Sequence, residues 1–195
     1  MNNLSQNLYI TYSNQKARDL KRQNILNPLD KVITLQSLIL ELFESKNFEI
    51  IIDETIASSI IYKIIKSNNI EYFSYLNEEA VSLNTIYNFI IKCKRNSVAF
   101  DTLLSDEKLN SVSEIDKAYQ EYKQVNSLVD TADIEQKVLE NWDSYFKHSN
   151  TEIYVDSFVV EDISYIKSRK QEQILEKLLK YKTIEKTTKT LNNSK

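Results

Sequence analysis

The sequence of 195 residues contains no glycine, and this absence limits the turns and loops that the chain can form. Glycine adopts positive φ angles without steric cost, whereas other residues reach that region only at a cost in energy. A P-loop of the form G-x-x-x-x-G-K-[ST] depends on such glycines, because they let successive backbone N–H groups surround a phosphate. We therefore predict that the chain does not hydrolyse a nucleotide by itself. An AT-rich coding bias would also produce a sequence rich in isoleucine, asparagine and lysine and poor in glycine.

The composition is that of a soluble globular protein. Apolar residues make up 42% of the chain, charged residues make up 27%, and the mean hydropathy is -0.43. No run approaches the roughly 18 apolar residues of a membrane span, and the first residues lack the basic and apolar regions of a signal peptide. These features predict a cytoplasmic protein that does not contact a membrane.

Few residues are available for metal or redox chemistry. Cys93 is the only cysteine and His148 the only histidine, so neither an internal disulfide nor a Cys/His zinc cluster can form. We expect Cys93 to be a small buried residue of a helix, and we predict no metal and no cofactor. The net charge of -3 and the pI near 5.4 argue against strong binding of nucleic acid by the chain alone.

Strand and helix patterns alternate at both ends of the chain. β-Branched and aromatic runs predict strands over residues 8–12, 31–35 and 152–158. Helices are predicted over residues 14–23, from Ser37 onward, and from an Asp162 N-cap to about Tyr181. Because parallel strands need crossover connections, strands that alternate with helices predict a parallel sheet.

The sequence between these ends is helical in pattern. Apolar residues recur at helical spacing after Asp53, a plausible N-cap, and similar stripes run through residues 81–90, 115–122 and 134–146. The predicted fold is therefore α/β and mostly helical, with a small parallel sheet and a large inserted helical lobe. Residues 1–52 and 150–195 would form the α/β core, and residues 53–149 the lobe.

Two short segments stand at predicted helix starts. The first is Ile33-Thr34-Leu35-Gln36-Ser37-Leu38, and the second is Val129-Asp130-Thr131-Ala132-Asp133-Ile134. The hydroxyl groups of Thr34 and Ser37 suit a phosphate, because free backbone N–H groups and the helix dipole favour an anion there. Ordinary capping accounts for both segments as well, with Thr131 or Asp133 as the cap of the second.

A third segment, Ile153-Tyr154-Val155-Asp156-Ser157-Phe158, ends the last predicted strand. In P-loop NTPases an Asp at such a place helps to hold Mg²⁺, and a following residue positions the attacking water. Ser157 occupies that following position here. Ser13 and Lys16 follow the first predicted strand, where a P-loop would lie, and a helix cap with a solvated helix accounts for them too.

Taken in order, the three segments resemble parts of superfamily-1 DNA helicases of the UvrD, RecB and AddA type. The first is similar to their TxHSxA segment, with Gln36 in place of the histidine, and the second is similar to DFxDL. The third is similar to the Walker B strand ilVDEFQD, with Ser157 in place of the glutamate. The resemblance implies a RecA-like core in which Thr34, Gln36 and Ser37 face DNA. It also implies that the Walker A region around Ser13 and Lys16 and the Walker B pair Asp156 and Ser157 are degenerate.

A helicase-like chain without a P-loop resembles AddB-type subunits of ATP-dependent helicase-nucleases. The segment Ile70–Leu76, expected to be a Tyr- and Phe-rich helix, adds to this resemblance. The resemblance implies a non-catalytic scaffold in DNA double-strand break repair, an AddA-like helicase subunit as partner, and weak contact with single- or double-stranded DNA. The nuclease domain of that family is absent, so the sequence is expected to be a fragment or a truncated relative.

Two other functions remain possible interpretations of the sequence. A helical protein interaction module without a nucleic-acid role would also lack catalytic residues. A small enzyme would need metal-binding carboxylates from Asp53, Asp130, Asp133 or Asp156, although no HxxE, ExxH or paired-carboxylate spacing supports it. Strand order separates the possibilities, because the helicase-like interpretation requires the three predicted strands to be neighbours in one parallel sheet.

Overall fold

The computed structural model describes residues 7–11, 13–22, 28–78, 81–100, 106–146, 152–155 and 168–181. The chain divides into two compact units. The first unit comprises residues 1–46 and 138–195, and the second comprises residues 47–137. The boundaries predicted from the sequence, at residues 53 and 149, stay a prediction.

A three-stranded parallel sheet forms the centre of the first unit. Its strands are β1 (Asn7–Thr11), β2 (Lys31–Thr34) and β5 (Glu152–Val155), in the order β2-β1-β5. Thr11 pairs with Thr34 on one side of β1, and Ile10 pairs with Val155 on the other. The prediction of a small parallel sheet in a mostly helical α/β chain is therefore confirmed. The order reverses at β1, which is the kind of switch point where open α/β sheets bind ligands beyond the carboxyl ends of their strands.

Four described helices accompany this sheet in the first unit, namely α1 (Asn14–Arg22), α2 (Leu35–Glu44), α7 (Trp142–Phe146) and α8 (Arg169–Tyr181). Helix α2 begins at Leu35 rather than at the predicted Ser37, because Thr34 is its N-cap. Helix α8 begins after Ser168, whose hydroxyl accepts the N–H of Gln171 at 3.1 Å. This start replaces the predicted Asp162 cap for the helix that ends at Tyr181, and Asp162 itself lies outside the described residues.

The second unit is built mainly from helices α3 (Glu54–Ser67), α4 (Val81–Arg95) and α5 (Glu107–Val125) and the first part of α6 (Thr131–Glu140). The carboxylate of Asp53 accepts the N–H of Ile56 at 2.9 Å, which confirms the predicted N-cap of α3. The isoleucine stripe of α3 packs against apolar residues of α4 and α5. The most deeply buried of these core residues are Ala57, Ile61, Ile65, Leu83, Ile90, Ile115 and Tyr119.

Three details of the second unit and its end differ from the predicted run of helices. Two-residue strands β3 (Ile50–Ile51) and β4 (Leu128–Val129) pair in parallel, and β4 lies where helix was expected. The segment Ile70–Leu76 contains only a 3₁₀ turn at Glu71–Phe73, not a long helix. The predicted helix from Ile134 to Phe146 is interrupted at Asn141, between α6 and α7.

Among the described residues, no helix combines the length and the apolarity needed to cross a lipid bilayer.

Helices α3, α4 and α5 end in a left-handed residue although no glycine is available. Asn69, Ser97 and Ser127 have φ angles of 51°, 56° and 52°, and each is the second residue after its helix. The N–H of Val98 donates to the carbonyl of Cys93 at 2.9 Å, which is the long hydrogen bond of a Schellman motif. The chain thus uses asparagine and serine where most helices use glycine.

We expect Ser97→Gly to raise the free energy of unfolding by about 1 kcal/mol, because it removes the steric cost of a left-handed residue with a Cβ. Asn69→Gly should gain less, since asparagine tolerates this conformation better than serine. Urea unfolding followed by circular dichroism measures both. Ser113→Gly, inside α5, is the matched control and should lose about 0.5 kcal/mol. A loss of stability in Ser97→Gly would contradict the expected relief of strain.

Candidate functional site

The carboxyl edge of the parallel sheet brings two helix N-termini together. Thr11 ends β1 and Thr34 ends β2, and the two residues are direct neighbours across the strands. Thr11 is 1% exposed, and its hydroxyl lies 3.1 Å from the carbonyl oxygen of Ser13 and 3.4 Å from that of Ile33. Helices α1 and α2 therefore begin side by side at one edge of the sheet.

Thr34 and Ser37 form the N-cap of α2. The hydroxyl oxygen of Thr34 accepts the N–H of Ser37 at 3.1 Å and lies 2.9 Å from the Ser37 hydroxyl. Both side chains are half-buried, whereas Gln36 between them is exposed. The capping interpretation of Thr34 and Ser37 is thus correct. Gln36 is the side chain of this segment that is free to reach a ligand.

Ser13 is the N-cap of α1. Its hydroxyl oxygen accepts the N–H of Lys16 at 3.1 Å, and its carbonyl accepts the N–H of Ala17 at 3.0 Å. No residue from Ser13 to Lys16 has a positive φ angle. The place that corresponds to a P-loop is therefore a capped helix start, and a ring of N–H groups around a phosphate does not form from these four residues.

The predicted Walker B residues Asp156 and Ser157 lie outside the described residues. Strand β5 ends at Val155, which pairs with Ile10 next to the end of β1. In sequence, therefore, Asp156 directly follows a strand whose carboxyl end lies at the same edge as those of β1 and β2.

Helix α1 carries a concentration of positive charge that the sequence-based prediction missed. Lys16, Arg18, Lys21 and Arg22 are cationic, and Asp19 is the only acidic residue of the helix. Arg18, Lys21 and Arg22 are exposed, and none of the three makes an ion pair with a described residue. A net charge averaged over the whole chain hides this local excess, which a count over nine residues reveals.

The DFxDL-like segment forms a buried capping arrangement in the second unit. The carboxylate of Asp130 accepts the N–H groups of Ala132 at 2.9 Å and Asp133 at 3.2 Å, while the carboxylate of Asp133 accepts the N–H of Asp130 at 3.0 Å. The cap of α6 is therefore Asp130, not Thr131 or Asp133 as predicted. This reciprocal pattern is that of a capping box.

Lys123 places its ammonium group against both carboxylates of this capping box. The side chain of Lys123 is 3% exposed, that of Asp130 is fully buried, and that of Asp133 is 24% exposed. The same ammonium lies 4.7 Å from the ring centre of Tyr119. Both oxygens of Asp130 and Oδ2 of Asp133 thus accept from protein donors, and these contacts stabilise the fold.

Other residues considered for chemistry have structural roles. Cys93 is buried as predicted. Burial is the main reason that the pKa of its thiol is raised, and the negative charge of the nearby Asp116 raises it further. Asp53 caps α3. Within the described parts of the chain, no three His, Cys, Asp or Glu side chains are grouped so that they could hold a metal ion. His148 lies outside the described residues.

Comparison with known proteins does not assign the chain to a family. No model of a known protein family matches the chain, and no curated protein matches its sequence. What the carboxyl edge binds is therefore inferred from its own residues.

Proposed function

We propose that this chain is a non-catalytic, helicase-like α/β domain of the AddB type, which guides a DNA strand and holds an ATPase partner in double-strand break repair. The observation that carries the proposal is the meeting of the α1 and α2 N-termini at the carboxyl edge of a parallel sheet, with Gln36 exposed between Thr34 and Ser37. The finer assignment of this sheet to a degenerate RecA-like core belongs to the same proposal.

The first turn of α2 offers a phosphate a favourable environment. Thr34 occupies the N–H of Ser37, which leaves the N–H groups of Leu35 and Gln36 without an intrahelical acceptor, as in any first turn. The helix dipole adds a partial positive charge at the same place, and α2 has no acidic residue in its first turn to cancel it. A DNA phosphate that contacts this turn would meet N–H donors and the amide of Gln36.

Binding without hydrolysis follows from the same residues. The capped start of α1 supplies no nest of N–H groups for the outer phosphates of a nucleotide, and the position after Asp156 holds Ser157 instead of a glutamate. The energy for moving along DNA would then come from an AddA-like helicase subunit. The role of this chain would be to position the strand for that partner.

A protein interaction module without a nucleic-acid role is the second candidate, and exposed apolar side chains favour it. Phe48 is 99% exposed and Ile50 62%, and Val125, two residues before Ser127, is 83% exposed. The carbonyl of Ser127 accepts the N–H of Ile50 at 2.9 Å, so these side chains belong to one region of the second unit. Apolar side chains grouped on a surface are typical of protein interaction sites.

We expect Gln36→Glu to change stability and DNA binding in opposite directions. A carboxylate in the first turn of α2 interacts favourably with the helix dipole, so the free energy of unfolding should rise by about 0.3–1 kcal/mol. The same charge repels a phosphate, so the affinity for DNA at low salt should fall severalfold. Urea unfolding and the fluorescence anisotropy of a labelled oligonucleotide, with and without an AddA-like subunit, measure the two effects.

Gln173→Glu, an exposed substitution on α8, is the matched control, because it adds the same charge to a different helix of the same unit. It should leave DNA affinity within about twofold, as expected for a change of one surface charge. If Gln36→Glu and Gln173→Glu bind DNA equally well, the carboxyl edge is not the DNA-facing site. If the wild-type chain binds no DNA, even beside an AddA-like subunit, the interaction module becomes the preferred function.

A further inference from the structure

The exposed cations of α1, Arg18, Lys21 and Arg22, make no ion pair with a described residue. Lys31, Lys94, Arg95, Lys123 and Lys137 each contact a carboxylate. In α1, by contrast, the one acidic residue is Asp19, and its carboxylate accepts from the amide of Gln15 at 3.1 Å. Asp19 offsets one of the four cationic side chains of this helix, so α1 keeps an excess of positive charge.

Helix stability explains only half of these charges. Lys21 and Arg22 stand in the last turn of α1, where the helix dipole favours cations. Lys16 stands in its first turn, where the dipole disfavours a cation, whereas Arg18 is the central residue of the nine. Arg18 and Arg22 are like charges one turn apart, which destabilise a helix. Only Ala17 of α1 is fully buried, so packing does not require this set of side chains. An anionic partner would remove the repulsion.

We infer that the exposed face of α1, formed by Arg18, Lys21 and Arg22, contacts the phosphodiester backbone of DNA. Residues at i, i+3 and i+4 lie on one side of a helix, so the three cations point to a common surface. Arg18 and Arg22 are separated by one helical turn, about 6 Å along the axis. Two guanidinium groups at this spacing can each hold a phosphate with paired hydrogen bonds.

The chemistry of α1 favours a nucleic acid over a lipid surface. Helices that lie on membranes bury large apolar side chains between their cationic ones. Helix α1 exposes no large apolar side chain, since its apolar residues are the buried Ala17 and the half-buried Leu20. Its cationic face thus offers phosphate contacts without the apolar contacts that a bilayer interface requires.

This inference rests on the proposed function, and it adds the backbone contact to the DNA-facing edge. Helix α1 begins at Asn14, beside the start of α2, because Thr11 and Thr34 are paired neighbours. A strand that contacts Gln36 would leave the carboxyl edge next to the first turn of α1. The cations of α1 would then supply most of the salt-dependent affinity, and Gln36 would contribute local contacts.

The test compares R18E/R22E with K177E/K180E, a charge-matched control whose exposed lysines lie on α8 of the same unit. Anisotropy of a labelled duplex and of a labelled single strand is titrated at several salt concentrations between about 50 and 200 mM. For R18E/R22E we expect at least a tenfold loss of affinity at the lowest salt. On duplex DNA, the slope of log affinity against log salt should fall by about 0.9 for each phosphate that the variant no longer neutralises.

The possible results separate this inference from the proposed function. The α1 contact is supported if R18E/R22E lowers both the DNA affinity and the salt dependence of that affinity while K177E/K180E changes neither. If the wild type binds DNA and both variants bind it equally well, α1 is not the contact, and the proposed function is unaffected. If the wild type binds vesicles of phosphatidylserine or an acidic protein but no DNA, the inference and the DNA-guiding role are both overturned.

Discussion

Lys123→Met should lower the free energy of unfolding by about 3–5 kcal/mol, the cost typical of removing one partner from a buried ion pair. Methionine keeps most of the volume of the side chain but removes the ammonium group that contacts Asp130 and Asp133. The carboxylate of Asp130 would then stay fully buried with only the N–H groups of Ala132 and Asp133 as partners. Urea unfolding followed by circular dichroism measures the loss.

Lys117→Met is the matched control, because Lys117 is an exposed residue of the same helix. Its effect should stay within about 0.5 kcal/mol, as for most surface substitutions. Adding Asp130→Asn to Lys123→Met removes the uncompensated charge, so the double variant should be more stable than Lys123→Met alone. A cost below about 1 kcal/mol for Lys123→Met would show that this ion pair is not a buried structural contact.

The sequence was sufficient to predict the parallel sheet and the principal helix of the second unit. Strands β1, β2 and β5 are short runs of β-branched and aromatic residues, and their alternation with helices at the two ends of the chain requires crossover connections. Helix α3 has an isoleucine stripe at helical spacing and an Asp53 cap, which are both local signals. Local patterns of this kind survive folding because packing uses the same face that the pattern defines.

Features that depend on distant partners were not predictable from local patterns. Strands β3 and β4 have two residues each, and Ile50 and Ile51 become a strand only because Leu128 and Val129 lie beside them. Lys123 has the pattern of a solvated helix residue, and its burial depends on Asp130 and Asp133 beyond the end of α5. Periodicity in one segment carries no information about such pairings.

In the candidate site, too, some features follow from local sequence and others depend on distant partners. The N-cap at Thr34 was expected. Thr34 and Ser37 are three residues apart, which is the spacing at which an N-cap hydroxyl accepts a backbone N–H of the first turn. The adjacency of the α1 and α2 starts depends on the pairing of Thr11 with Thr34, which only the sheet order establishes. The absence of glycine predicted the lack of a P-loop, and the capped start at Ser13 supplies the structure that stands in its place.

Buried tyrosines give the second large expected effect, a loss of stability at alkaline pH. Tyr87 and Tyr119 are 5% and 0% exposed, and their rings are in edge contact with centres 6.4 Å apart. Burial is the main reason that the pKa of both hydroxyl groups lies above the usual value for tyrosine, and the negative charge of Asp130 is the second. In the folded state these hydroxyl groups therefore keep their protons at a pH where the unfolded chain releases them.

This difference contributes stability that is complete below the unfolded pKa of about 10 and is lost as the pH rises above it. Above that pH, the two tyrosines together should lower the free energy of unfolding by about 2.7 kcal/mol for each pH unit, because each proton contributes about 1.4 kcal/mol. Urea unfolding between pH 8 and about 11 spans this ordinary tyrosine pKa and measures the slope. Tyr119→Phe should remove about half of the slope assigned to the pair. Tyr75→Phe should leave it unchanged, because Tyr75 is 73% exposed. Equal slopes in the wild type and Tyr119→Phe would show that the buried Tyr119 hydroxyl does not contribute to alkaline unfolding.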